Sequence, residues 1–336
     1  MKHTLTLLLI FATTLLSAQV PTVQELLDQA KTQEKTGDYN NALPFYEMAL
    51  RLEPKNAEIY NIRAAAYQER EMYREAKNDF DRAILLDAKN PKYYNRRAIL
   101  FNLLNYSEYA IRDADKALEY AGDNLNEKSF AYYQRAVAKT NNGRLEGALE
   151  DYNSALANSP APSTEMVVLL KSASVLGQLN RTKEAINRLE TLVTKYPDFT
   201  AGYNNLGYQY IKEEQYLKAI DVFNRLIKLI EARPDKDYEM EAAVVKTDGT
   251  EKALPLNNRG FAKLKLGDKK EALKDINASL KIDPTNPYAY KNRALVYLAD
   301  KKNKDACADL QKALDLGYTK TYGNEAQELV NEYCKE

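Results

Sequence analysis

The sequence predicts an all-α fold built from repeated antiparallel helix pairs. Three observations carry this reading. Alanines that follow a turn recur at a nearly fixed interval, apolar residues within each interval recur at helical spacing in two runs, and short polar turns separate the runs. Ala42, Ala76 and Ala110 are 34 residues apart; Ala148 follows after 38, Ala185 after 37 and Ala219 after 34. Ala272 comes 53 residues later and Ala306 another 34. Seven residues beyond most of these stands a second small residue: Ala49, Ala83, Ala117, Ala155, Ser279 or Ala313. Twelve beyond several stands a proline: Pro54, Pro160, Pro197 or Pro284. The turns read "TGDYNNA", "NGRLEGA" and "LGDKKEA".

Period and signature together resemble the tetratricopeptide repeat family, in units at about 23–56, 57–90, 91–124, 129–162, 166–199, 200–233, 253–286 and 287–320. The resemblance implies helix pairs stacked into a right-handed superhelical solenoid, with the first helix of each pair lining a concave groove. One pair cannot bury its apolar face alone, so its neighbours must. On this reading residues 19–336 form a single solenoid, interrupted by an insertion at 234–252 and closed by a capping helix at about 323–335.

Taken in order, the chain opens with Met1-Lys2-His3, the apolar run "TLTLLLIFATTLL" and a cleavage point after Ala18. This is the pattern of a secretory signal peptide over residues 1–18, so an exported protein, periplasmic or secreted by a bacterium, is expected. An uncleaved N-terminal anchor is the alternative. No other segment is long and apolar enough to span a membrane. Cleavage would remove His3, the only histidine, and Trp is absent. That excludes His general bases, Ser-His and Cys-His nucleophiles and His-ligated metals. We expect no enzyme, no cofactor and no metal. Lys plus Arg and Asp plus Glu balance at 48 each without a basic cluster, which argues against nucleic acid.

Units five and six carry Leu192 and Leu226 in place of the second small residue, which predicts looser packing there or helices set further apart. In the insertion, "YEMEAAVVK" reads as a short helix or strand between turn signals, either a tolerated surface loop or a binding element.

Five units place an arginine on the stripe that should be buried: Arg63, Arg97, Arg135, Arg259 and Arg293, at position 7 counted from nineteen residues before the turn alanine. The same five carry Asp at position 23: Asp79, Asp113, Asp151, Asp275 and Asp309. Units without the Arg (Gln29, Ser172, Leu206) also lack the Asp (Phe45, Arg188, Val222). In an antiparallel hairpin these positions lie level, so five salt bridges within units are expected, a guanidinium fork suiting a carboxylate. Pairing between neighbouring units fits less well, because Arg63 and Arg259 would have no preceding Asp. A structural role is expected.

Cys307 lies early in the last second helix, and the tail "NEAQELVNEYCKE" would run antiparallel to it. A Cys307–Cys334 disulfide stapling the cap is expected, against free thiols or a weak metal site.

In the family, first-helix positions 2, 5, 6 and 9 face the groove. By resemblance these are Asn204, Asn205, Tyr208, Asn257, Asn258, Phe261, Tyr288, Lys291 and Asn292 toward the C-terminus, then Lys92, Asn95, Arg96, Phe130, Tyr133 and Gln134 in the middle, and Asp28, Lys31, Glu58 and Asn61 near the start. Asn205, Asn258 and Asn292 share position 6 and would form an amide ladder for a peptide backbone, or else a side-chain network internal to the fold. The two-carboxylate clamp of chaperone-binding members is incomplete here: Lys92 and Arg96 match its last pair, but Leu27, Lys31 and Ile62 fill the remaining places. The expected function is a non-enzymatic interaction scaffold of the cell envelope that binds an extended segment of an envelope or secreted protein. Glycan or cell-wall binding on groove aromatics is the alternative.

Overall fold

The computed structural model describes residues 21–158, 160–232, 238–240, 243–245 and 250–334. The expected signal segment 1–18 and much of the insertion lie outside them. The chain divides between Gly143 and Arg144 into two compact units. The division falls between the two helices of the fourth expected repeat.

The first unit holds α1 (Val23–Lys35), α2 (Tyr39–Leu52), α3 (Ala57–Glu69), α4 (Tyr73–Leu86), α5 (Pro91–Leu103), α6 (Ser107–Tyr120) and α7 (Leu125–Asn141). The second holds α8 (Leu145–Ala157), α9 (Pro162–Gln178), α10 (Thr182–Lys195), α11 (Thr200–Lys212), α12 (Tyr216–Ala232), α13 (Ala253–Lys265), α14 (Lys269–Ile282), α15 (Pro287–Ala299), α16 (Asn303–Asp315), α17 (Tyr318–Tyr322) and α18 (Glu325–Tyr333). Within each unit consecutive helices pack against each other, the arrangement of an all-α solenoid. Between α12 and α13 lie two short antiparallel strands, β1 (Tyr238–Met240) and β2 (Ala243–Val245), with Tyr238 opposite Val245. The described strands of the insertion therefore pair with each other.

Local chemistry fixes the helix ends. Asn56, Asn90, Asn124 and Asn286 accept hydrogen bonds from first-turn amides of α3, α5, α7 and α15. Asp38 and Asp268 do the same for α2 and α14. Each hairpin turn contains one residue at positive φ: Gly37, Glu71, Asn105, Gly143, Asn180, Glu214, Gly267 and Lys301. All eight hold position 15 of their repeat. Only Gly takes that conformation without crowding its Cβ.

In each unit small residues line the helix contacts. All eight turn alanines are 0% exposed, as are Ala49, Ala83, Ala117, Ala155, Ser279 and Ala313. Leu192 and Leu226, which replace the second small residue, are 0% and 2% exposed. At Leu192 the next repeat compensates. A Cβ on Gly202 would lie 3.1 Å from Leu192 Cδ2, so the glycine makes room for the larger side chain. The fourth and fifth first helices, α7 and α9, run 17 residues and begin four residues before the repeat count places them. The capping helix expected at about 323–335 is α18, and a short extra helix, α17, precedes it and ends before Gly323.

Candidate functional site

Arg63 donates to Asp79 through Nε (2.6 Å) and NH2 (2.8 Å). Arg97 grips Asp113 in the same fork at 2.7 Å twice, Arg259 grips Asp275 at 2.7 and 2.6 Å, and Arg293 grips Asp309 at 2.7 and 2.8 Å. Arg135 and Asp151 belong to different units; within its own unit Arg135 donates to Asp115 at 2.6 Å.

The position-23 Asp is bound within the repeat, as expected, and a second contact between neighbouring repeats goes to a different residue. The guanidinium's free NH1 reaches position 25 of the preceding repeat. Arg97 meets Asp81 at 2.5 Å, Arg259 meets Asn224 at 2.8 Å and Arg293 meets Asn277 at 2.9 Å. A planar guanidinium offers five donors, and the fork onto Asp uses only one edge. Burial works against the Arg97 charge, but Asp113 and Asp81 more than offset it and hold the group above its ordinary range. Where the fifth repeat swaps the pair for Ser172 and Arg188, Arg188 donates instead to Asn153, again at position 25 of the preceding repeat, at 2.7 Å. Burial pushes the Arg188 guanidinium below its ordinary range, and its NH1 has no hydrogen bond. Arg97, Arg259 and Arg293 thus tie the two helices of a hairpin together and also join neighbouring hairpins.

On the first-helix face of the first unit, Lys92 is tied to Glu58 at 2.6 Å, while Arg96 stays exposed. Asn61 and Asn95 are buried, at 2% and 1% exposure. Asn95 Nδ2 donates to Glu127 Oε2 at 2.6 Å, and Asn61 Nδ2 reaches Glu58 Oε2 at 3.5 Å. Neither amide oxygen accepts a hydrogen bond. Tyr133 and Phe130 are half-buried with ring centroids 6.1 Å apart, and Gln134 is buried, its Oε1 accepting from Asn102 at 3.0 Å. Asp28 and Lys31 are exposed.

In the second unit the position-6 amides make hydrogen bonds within the fold. Asn205 donates to the Ala201 carbonyl of its own helix at 2.9 Å. Asn292, 0% exposed, donates to Asn257 Oδ1 at 3.1 Å, and Asn257 reaches Asn258 at 3.4 Å. The amides thus bond one another across α13 and α15, because the two helices bring positions 5 and 6 within reach. Two acceptors are left over, Asn204 Oδ1 and Asn292 Oδ1. Tyr208 is the exposed ring, at 48%. Lys291 is sealed at 2% exposure, with its ammonium 3.0 Å from Glu325 and over the rings of Tyr288 (4.9 Å) and Phe261 (5.6 Å). Burial lowers the Lys291 pKa against the pull of Glu325, and burial lifts the Tyr288 phenol to about 12.

Cys307 and Cys334 form a disulfide with Cα atoms 5.6 Å apart, joining α16 to the end of α18. Among the described residues no cluster of His, Cys, Asp and Glu could hold a metal ion, and no helix is long and apolar enough to cross a membrane.

Comparison with known proteins agrees with this architecture. Residues 26–56, 57–90, 170–237 and 253–286 match tetratricopeptide repeat family models. Over 138 residues the chain is 41% identical to serine/threonine-protein phosphatase 5 of Homo sapiens, a stretch that is 41% of this chain but 20% of that protein. The chain therefore spans about a fifth of the phosphatase's length. Among solved structures, the APC/C hetero-tetramer Cut9-Hcn1 superposes with a TM-score of 0.59 at 18% identity, covering 92% of this chain and 55% of that one. PilF of Pseudomonas aeruginosa superposes at 0.55 and 14% identity, covering 71% and 96%. At such identities the two structures speak to fold alone. Each of the two units thus carries stretches that match tetratricopeptide repeat models.

Proposed function

We propose that the protein is a non-enzymatic interaction scaffold of the cell envelope, exported by its N-terminal segment, whose first-helix faces hold an extended segment of a partner protein. The observation that carries this reading is the pair of buried amide oxygens on α3 and α5, Asn61 Oδ1 and Asn95 Oδ1, which accept no hydrogen bond. Buried acceptors normally find a donor, and leaving one unpaired costs about 1–3 kcal/mol. The backbone N–H groups of an extended peptide are donors of the required kind. Both amides keep their own N–H groups occupied by Glu58 and Glu127, so the oxygens stay aimed while the side chains are held. The phosphatase's activity is not transferred, since the match leaves about four-fifths of that protein unrepresented.

The test is crosslinking of the full-length protein in its own cells, read by mass spectrometry beside an Asn61→Ala/Asn95→Ala variant of unchanged helicity. Partner peptides captured by the parent and lost from the variant support the reading; identical profiles refute it. N-terminal sequencing of the mature protein tests export, which predicts a start near Gln19. A second reading, glycan binding, is favoured by the exposed ring of Tyr208, since flat aromatic faces suit sugars. It predicts retention on purified peptidoglycan or polysaccharide that Tyr208→Ala abolishes.

A further inference from the structure

The C-terminal helix α18 is a poor candidate for a rigid cap. It has nine residues, too few to hold helical form alone in water. Only Ala326 is fully buried on it, with Leu329 and Val330 half-buried. Two ties compensate. One is the Cys307–Cys334 bridge. The other is Glu325, the first residue of α18, whose carboxylate takes Lys291 Nζ at 3.0 Å and the Tyr318 hydroxyl at 3.2 Å.

Glu325 lies 34 residues after Lys291. Glu325 thus occupies the place that the first helix of a further repeat would give position 5. Its surroundings have the form of an occupied anion site. The Lys291 ammonium is withdrawn from solvent, lies over the Tyr288, Phe261 and Tyr318 rings at 4.9, 5.6 and 6.0 Å, and has a carboxylate as its ionic partner. Tyr322 stacks on Tyr288 at 5.2 Å and extends the aromatic wall to the surface, where it is 49% exposed. Next to Lys291 on α15, Asn292, 0% exposed, keeps an oxygen without a donor.

We propose that α18 is a disulfide-latched plug: the Cys307–Cys334 bridge holds Glu325 on Lys291, and reducing the bridge frees α18 and opens this end to the carboxylates of an acidic partner segment. The proposal rests on the scaffold reading and gives the partner's chemistry at the C-terminal end of the second unit. Both cysteines are partly exposed, so the bridge is open to exchange. A dithiol reductant supplies the electrons. One of its thiolates attacks a bridge sulfur and breaks the S–S bond, and its second sulfur displaces the mixed disulfide. The reductant leaves as a cyclic disulfide, and Cys307 and Cys334 each keep one of its two protons as thiols. Without the bridge the docked state of α18 loses an advantage on the order of 100-fold from chain entropy. The remaining Lys291–Glu325 contact is open to competition, because Glu325 itself is exposed.

The experiment uses the full chain, oxidised or reduced with dithiothreitol, and a Cys307→Ser/Cys334→Ser variant. Amine acylation at Lys291, normalised to the exposed Lys281, is read by mass spectrometry, and binding of a fluorescent tetraglutamate peptide is read by anisotropy. Reduction and the double Ser variant should each raise Lys291 labelling at least tenfold. Tetraglutamate should bind the open forms at least tenfold more tightly than the oxidised form, and Lys291→Gln should abolish that gain. Hydrogen exchange over α13–α16 should not change. Unchanged Lys291 labelling after complete reduction overturns the latch, while the Asn61/Asn95 crosslinking result stands on its own. Equal tetraglutamate binding in both redox states, or in Lys291→Gln, overturns the acidic partner. Loss of protection throughout α13–α16 shows a bridge that merely holds the fold together, and also overturns the proposal.

Discussion

Removing one arginine from the buried stripe should cost different amounts at different repeats, and the difference follows from the second donor each Asp retains. Asp309 is 7% exposed, and Arg293 supplies both hydrogen bonds to its carboxylate. Arg293→Ala therefore strands a buried charge. Breaking a fully buried pair costs roughly 3–5 kcal/mol, and because Arg293 is itself 22% exposed the lower end applies, about 3 kcal/mol. Asp275 is as deeply buried, but Lys263 Nζ also stands 2.7 Å from its Oδ2. Arg259→Ala leaves that charge partnered and should cost about 1.5 kcal/mol, the value of a charged hydrogen bond. The paired replacement Arg293→Met/Asp309→Leu should fall within about 1 kcal/mol of the parent. Urea unfolding at neutral pH measures the totals. Because a solenoid can open locally, hydrogen exchange over α13–α14 and α15–α16 assigns each loss to its repeat. Equal costs for Arg293→Ala and Arg259→Ala would refute the reasoning, as would a double variant as damaged as Arg293→Ala alone.

Three further outcomes are expected. Gly207→Ala should destabilise by about 2 kcal/mol, since its Cβ would lie 2.5 Å from Phe223 Cζ, a ring held at 0% exposure; Gly177→Ala should be nearly neutral, because the atom it meets at 3.0 Å is the flexible end of Gln209. Thermal melts of the two variants check this. Lys301→Gly should stabilise by about 0.5–1 kcal/mol by relieving a left-handed Cβ at φ 59°, while Asn105→Gly should gain less because Asn tolerates that conformation; urea midpoints decide. The Tyr288 phenol is lifted from 10.0 to about 12, so the folded state holds its proton more tightly. Its stabilising contribution is whole below pH 10 and is lost as pH rises from 10 toward 12. Tyr288→Phe should lose less stability than the parent between those values in urea titrations at each pH.

What could be read from one dimension concerned relations inside a repeat. The turn alanines announce the helix contacts because only a small side chain fits where two backbones approach, and all eight are 0% exposed. The Arg and Asp positions could be paired on paper because a hairpin closes within 16 residues and its geometry repeats. The left-handed turn residue was hidden wherever Glu, Asn or Lys stood in place of Gly. The NH1 contacts to Asp81, Asn224 and Asn277 were missed for a different reason. They cross between neighbouring repeats, and their only signal is a polar residue at position 25, which any solvated helix face also carries.

The candidate site divides along the same line. The sequence by itself determined the helix count of each repeat, the alternation of first and second helices and the residues that share a first-helix face, because these follow from a 34-residue period and a 3.6-residue turn. Only the tertiary structure decided what those residues do there. Whether Asn292 offers its amide to a ligand or to Asn257, whether Leu192 loosens a contact or fills the space left by Gly202, and whether Lys291 faces solvent or Glu325 depend on how one repeat is set against the next. That setting comes from side chains some 10 to 35 residues apart packing at close range, where a shift of an ångström exchanges one hydrogen-bond partner for another.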